Sequence, residues 1–200
     1  MVTIGSVMQS SARGNQSLEE RTLSQFALVS YIPDPLARFL DELRVQLKPD
    51  CKPHAHVTIL PPRPLYHDLA DTVQKITDDI KGVAPFRIEL GQIEIFEASH
   101  VIYLGLARGA SELRRLYCAL NCGCLEYAEP FPYHPHITIA QDLLREDAAK
   151  TAQLAEERWE KYPGPRCFTV SALSLVQHVA PSIWTDVAAL QLGVEAPVAT

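Results

Sequence analysis

No run in this chain approaches the ~20 consecutive apolar residues that a bilayer-spanning helix needs, so the sequence offers no membrane segment. Positive charge is also scarce: 18 Lys and Arg stand against 24 Asp and Glu, a net charge of −6. Proteins that grip duplex DNA or an RNA helix carry a basic track. None is visible here, so a nucleic-acid partner would be a small nucleotide or a strand end held in a pocket. The cysteines are few and odd in number (Cys51, Cys118, Cys122, Cys124, Cys167) and lack the spacing of a disulfide framework. Reduced thiols in a cytoplasmic protein fit that pattern. Cys118 and Cys122, four apart on a predicted helix, read as small apolar core thiols in preference to a metal site shared with Cys124. The opening residues are polar and lack the apolar stretch of a signal peptide.

What is present is enough apolar material for a core, and a repeat. With 200 residues, 47% apolar and 21% charged, the composition suits one globular domain that needs no staples. Residues 1–24 read as a mobile leader, 25–193 as a single bilobal domain and 194–200 as a short tail. Phe26 to Ile32 forms a buried strand ended by Pro33. Asp34-Pro35 then starts a helix whose stripe is Leu36, Phe39, Leu40, Leu43 and Leu47. A helix over about 66–80 carries Leu69, Val73, Ile76 and Ile80. Strands follow at 86–96, with a bulge at Gly91, and at 101–107. Ser111 caps a helix with Leu113, Leu116, Tyr117 and Leu120; a polar helix spans about 145–161; strands at 168–179 and 183–192 close the domain around a turn at Pro181-Ser182.

The repeat is the informative feature. Residues 54–60 read His54-Ala55-His56-Val57-Thr58-Ile59-Leu60, and residues 134–140 read His134-Pro135-His136-Ile137-Thr138-Ile139-Ala140. Alternation along a strand puts both histidines and the threonine of each copy on one face, with Val57, Ile59, Ile137 and Ile139 on the other, toward a core. The order β-α-β-α-β-β-α-β-α-β-β, with one His strand in each half, implies an α+β domain of two similar lobes related by a pseudo-twofold. Prolines flank both copies, and Pro61-Pro62 are expected to end the first His strand.

Paired imidazoles suit phosphodiester chemistry near neutral pH. One neutral His takes a proton from the attacking oxygen while a protonated one supplies the leaving oxygen. Threonine hydroxyls donate to the non-bridging oxygens, where charge builds in the transition state. The chemistry calls for no metal or other cofactor. The competing reading is a zinc site built from His54, His56, His134 and His136. It leaves the recurring threonine unexplained and finds no carboxylate in similar register. Arg63, just past the first motif, and more weakly Lys52, are placed to meet a phosphate. Tyr133 is placed to stack on a base or to fill the core. His54 and His134 are candidates for orienting the inner histidines or touching substrate, whereas His67, His100 and His178 lie in sequence without such features.

Two His-φ-Thr-φ motifs (φ apolar), His56-Val57-Thr58-Ile59 and His136-Ile137-Thr138-Ile139, with the exit Pro61-Pro62-Arg63-Pro64 and the lead-in Tyr133-His134-Pro135, make residues 25–192 resemble the 2H phosphoesterase superfamily. That superfamily includes the 2′-5′ RNA ligase-like proteins and the cyclic phosphodiesterases. The resemblance implies two lobes, each an antiparallel sheet with helices on its outer face, around a central cleft. It implies metal-independent cleavage or ligation at 2′-linked or 2′,3′-cyclic phosphates. By position, His56 and His136 become the catalytic pair, with His136 activating water and His56 protonating the ribose oxygen, and Thr58 and Thr138 the phosphate binders. The expected partner is a nucleotide cyclic phosphate or an RNA terminus. The leading expectation is hydrolysis; RNA-end ligation and a non-catalytic nucleotide-binding module are the alternatives.

Overall fold

The computed structural model describes residues 25–51, 54–180 and 183–193. Lys52, the leader, the tail and the Pro181-Ser182 turn lie outside those residues. Among the described residues eight strands form two antiparallel four-stranded sheets. The first has the order β2-β1-β7-β8 and the second β5-β4-β3-β6. The strands are β1 (Gln25–Tyr31), β2 (His56–Pro64), β3 (Phe86–Ile95), β4 (Ile102–Arg108), β5 (Ile137–Ala140), β6 (Cys167–Val170), β7 (Ala172–Ala180) and β8 (Ile183–Gln191). The helices are α1 (Leu36–Leu47), α2 (Leu69–Asp79), α3 (Ala110–Leu120) and α4 (Arg145–Glu160). Each sheet is one lobe, and each motif strand is an edge strand of its own sheet. No helix among the described residues is long and apolar enough to cross a membrane.

The two lobes match in detail. Leu28 pairs with Leu60, Val29 with Thr58 and Ser30 with Val57. In the other lobe Ile102 pairs with Ala140, Tyr103 with Thr138 and Leu104 with Ile137. Both ladders skip one motif residue at the same place, Ile59 in one and Ile139 in the other. Such a bulge turns two successive side chains toward the same side. Ile59 with Leu60, and Ile139 with Ala140, are accordingly buried consecutively. Val57 and Ile59 are 0% exposed, Ile137 0% and Ile139 1%, and all four join a single apolar core that runs through both lobes.

Helix packing crosses between the lobes. α1, which follows β1, packs against β5; α3, which follows β4, packs against β2. Their apolar stripes (Leu36, Leu40 and Leu43; Leu113, Leu116 and Leu120) therefore back the opposite lobe's motif strand. The stripe on α3 leaves Cys118 on its outer side, Cys122 lies two residues past the end of the helix, and both are exposed. The expectation of core thiols there is corrected by that geometry. The residue that caps α3 is Gly109, whose φ of +94° and close approach to the Arg87 carbonyl exclude a side chain; Ser111, expected as the cap, lies inside the first turn.

Two strand expectations are also revised. Pro61 and Pro62 do not end the first motif strand, which continues to Pro64 and pairs Arg63 with Phe26. An edge strand tolerates prolines because no second neighbour needs their missing N–H. The stretch expected as one strand over 168–179 is two: β6 pairs with β3 and β7 with β1. The chain changes sheets at Ser171, whose carbonyl accepts from the Leu192 N–H at 2.8 Å. The C-terminal hairpin thus completes the first lobe.

Truncating Ile59 or Ile139 to Ala should each lower stability by about 2–5 kcal/mol, the cost of a cavity under a motif strand. Urea unfolding measures this, and a loss below about 1 kcal/mol for either would contradict the burial.

Candidate active site

β2 and β5, each at the edge of its sheet, approach to within 8 Å between Cα atoms across the seam between the lobes. Pairing in the two sheets places His56 beside Tyr31, Thr58 beside Val29, and Thr138 beside Tyr103. Because cross-strand neighbours share a face, the motif histidines and threonines stand on the surface opposite the core.

Each inner histidine is anchored in the same way. His56 Nδ1 lies 2.7 Å from the carbonyl oxygen of His54, and His136 Nδ1 lies 2.6 Å from that of His134. A carbonyl only accepts, so in the neutral ring the proton sits on Nδ1 and the Nε2 lone pair is left for the cleft. His136 also rests edge-on against Phe96 and Tyr103, with ring centroids 5.1 and 5.3 Å away. Neither motif threonine hydroxyl bonds to another described residue. Burial pushes the His56 pKa down to about 4, with the Arg44, His54 and His136 charges adding to it and the bond to His54 opposing. Burial also lowers the His136 pKa, again opposed by its backbone bond. Both imidazoles are thus neutral at pH 7 in the free protein.

The outer histidines are exposed and occupied by rings. His54 stacks on Tyr31 at 3.7 Å, and His134 meets Phe96 and Tyr103 edge-on at 5.3 and 5.6 Å. The four histidines do not gather as a zinc site would require, and no cluster of three or more potential metal ligands occurs among the described residues. Each lobe adds a tyrosine–carboxylate pair on the cleft face. Tyr31 Oη donates to Asp186 Oδ1 at 2.5 Å, and Tyr103 Oη donates to Glu94 Oε2 at 2.9 Å. Burial first, and the carboxylate second, raise the pKa of both phenols, Tyr103 to about 12. The sequence did not single these pairs out, because only strand register brings Tyr31 beside His56 and Tyr103 beside Thr138.

Arg63 and Tyr133 hold the seam at one end. Arg63 is 2% exposed. Its Nε donates to the Pro61 carbonyl at 3.0 Å, its Nη1 to Asn121 Oδ1 at 2.6 Å and the Leu125 carbonyl at 2.8 Å, and its Nη2 to Glu129 Oε1 at 2.5 Å. The guanidinium expected at a phosphate is instead spent on protein acceptors, one on its own strand and three on the segment after α3, which take a planar fork readily. Tyr133 donates its hydroxyl to the Thr58 carbonyl at 2.6 Å and stacks on Tyr117 at 4.2 Å. The second motif's lead-in thereby touches the first motif's backbone.

Comparison with known proteins agrees with this architecture. A family model described as the 2′-5′ RNA ligase superfamily matches residues 32–181. A protein of Oceanobacillus iheyensis that carries a phosphoesterase name is 33% identical over 76 residues, 38% of this chain and 44% of that protein. One of Halalkalibacterium halodurans, similarly named, is 26% identical over 148 residues, 70% of this chain and 80% of its own length. Among solved structures, E. coli LigT complexed with 3′-AMP superimposes with a TM-score of 0.59 at 17% identity, covering 86% of this chain and 99% of that one. A Thermus thermophilus protein gives 0.56 at 19% identity, with 84% and 97% covered. At such identities the structures speak for the fold.

Two measurements check the site. NMR of the imidazole nitrogens should show the Nδ1–H tautomer for His56 and His136 at pH 7 and a His56 midpoint near 4; a midpoint near the ordinary value of about 6.5 contradicts the burial. The unfolded chain, titrating near 6.5, binds the extra proton first, so stability should fall as pH drops from about 6.5 toward 4. Separately, Arg63→Ala should cost about 3–5 kcal/mol by opening a gap at a buried guanidinium and leaving the half-buried Glu129 without its partner. A urea midpoint close to wild type would contradict the lock.

Proposed function

The chain belongs to the 2′-5′ RNA ligase superfamily, the 2H phosphoesterases, and we propose that it hydrolyses the 2′,3′-cyclic phosphate of a ribonucleotide or RNA end without a metal. The observation that carries this reading is the pair of Nδ1-anchored imidazoles on strands whose two motif threonine hydroxyls, like the Nε2 atoms, bond to no other described residue. That solved forms of E. coli LigT hold 3′-AMP and phosphate supports a nucleotide monophosphate as product.

In this scheme Thr58 and Thr138 donate to the non-bridging oxygens. One neutral imidazole takes a proton from water at Nε2 as the water oxygen bonds to phosphorus. The bond from phosphorus to one ribose oxygen breaks, and that oxygen takes the proton held by the second imidazole. The product is a ribose monophosphate with a free neighbouring hydroxyl. An anionic diester between the rings favours the charged form of one of them, so the acid is armed when substrate arrives. The resemblance makes His136 the base and His56 the acid; burial lowers the pKa of both rings, so the proton on the acid is held there by the bound diester. With a 5′-hydroxyl in place of water as nucleophile, the same pair forms a 2′-5′ linkage as the bond from phosphorus to the 3′ oxygen breaks and that oxygen takes the proton, a second reading that the family description favours. His54 and His134 stand as contacts for the ribose or base at either end, and Tyr133 as the residue that positions Thr58.

Incubation with 2′,3′-cyclic nucleotides in excess chelator should yield a monophosphate. His56→Ala and His136→Ala should each lower kcat by about 10²–10⁴, and Thr58→Val or Thr138→Val by about 10²–10³. Near-normal turnover in either histidine variant, or activity lost to chelator and restored by zinc, would falsify the mechanism. With a p-nitrophenyl leaving group that needs no proton, the variant lacking the acid recovers and the one lacking the base does not, which assigns the two roles.

A further inference from the structure

The far part of the first sheet's cleft face takes no part in the chemistry above. There Tyr31 packs against a buried floor of Ala27, Val29 and Val176, small enough to let the ring reach Asp186 on β8. Asp186 pairs across the ladder with Val176, and Trp184 with His178, so Asp186 and Trp184 share this face. Trp184 is 40% exposed despite its size, and its ring centroid lies 4.9 Å from that of His178. A line of cleft-face groups thus runs from His56 through Tyr31 and Asp186 to an open indole.

We propose that Trp184, backed by His178, is a stacking platform for a base of single-stranded RNA whose cyclic end sits between the two motifs. This inference rests on the phosphodiesterase reading and specifies its substrate as an oligoribonucleotide end in preference to a mononucleotide. β8 stands three strands from β2, roughly 14 Å at about 4.8 Å per step. Trp184 is displaced further toward the end of the sheet where Gln25 meets Pro64. The stacked base therefore belongs to a nucleotide upstream of the one that carries the cyclic phosphate. Charge selects a base over a backbone here. The exposed Asp186 carboxylate repels a phosphodiester but accepts from a base amino group or a ribose hydroxyl. Stacking on an indole tolerates any base, so the platform reads chain length and not sequence.

The test is a length series, from a 2′,3′-cyclic mononucleotide to a tetranucleotide with the same cyclic end. Wild-type kcat/KM should step up with length by on the order of tenfold, the share of one stacked base. Trp184→Ala should remove the step and Trp184→Phe should keep most of it. Equal values at all lengths, or a step that survives Trp184→Ala, overturn the platform. A second readout keeps this apart from the phosphodiesterase reading: tryptophan fluorescence is titrated with a tetranucleotide ending in a plain 2′-phosphate. Quenching that disappears in Trp184→Phe, where only the buried Trp159 remains, supports the platform even if no cyclic end is hydrolysed. Absence of quenching in the wild type overturns it.

Discussion

Two edge strands lie side by side across the seam without joining their sheets, and the active site depends on that arrangement. An edge strand has unpaired backbone groups, and here the other lobe uses them: the Thr58 carbonyl accepts from Tyr133. Fusion into one sheet would put β2 and β5 in a continuous ladder. Separation lets each motif face the cleft from its own lobe. Arg63 sets the spacing at one end, reaching from β2 to the Asn121, Leu125 and Glu129 acceptors of the other lobe. At the other end Lys48 donates to the Gln141 carbonyl at 3.2 Å, just past β5. The crossed packing of α1 under β5 and α3 under β2 makes the two lobes share one core.

Electrostatically, the site trades solvation for readiness. Burial keeps both inner imidazoles neutral and therefore available as acceptors, while the backbone carbonyls fix which nitrogen faces the cleft. The tyrosine–carboxylate pairs place negative charge beside the proposed phosphate site, which suits hydrogen-bonding to ribose and base more than binding a run of phosphates. The overall charge of −6 points the same way.

The motif could be read from the sequence because strand alternation is strict. Val57, Ile59, Ile137 and Ile139 had to face one way and His56, Thr58, His136 and Thr138 the other, and the doubled register implied two lobes. Helix α1 was legible from its leucine stripe. What depended on distant pairing was not. The sheet switch at Ser171 lies inside an apolar stretch with no punctuation, and Pro61-Pro62 look like a stop unless β2 is known to be an edge. Arg63 is a cation beside a phosphate motif in sequence, yet its partners at 121, 125 and 129 are some 60 residues away. Cys118 and Cys122 misled because helical spacing fixes neither which face is buried nor where the helix ends, and α3 stops before Cys122. Asp186 and Trp184 join that face of the first sheet only through the C-terminal hairpin's return to β1.

The claim that the two motifs form one phosphate site is tested most directly by following the His56 and His136 imidazole nitrogens by NMR while inorganic phosphate is added. If both rings face one anion, both sets of signals should move with a single dissociation constant, and both titration midpoints should rise in the complex. Movement of one ring alone, or two different constants, would contradict a shared site.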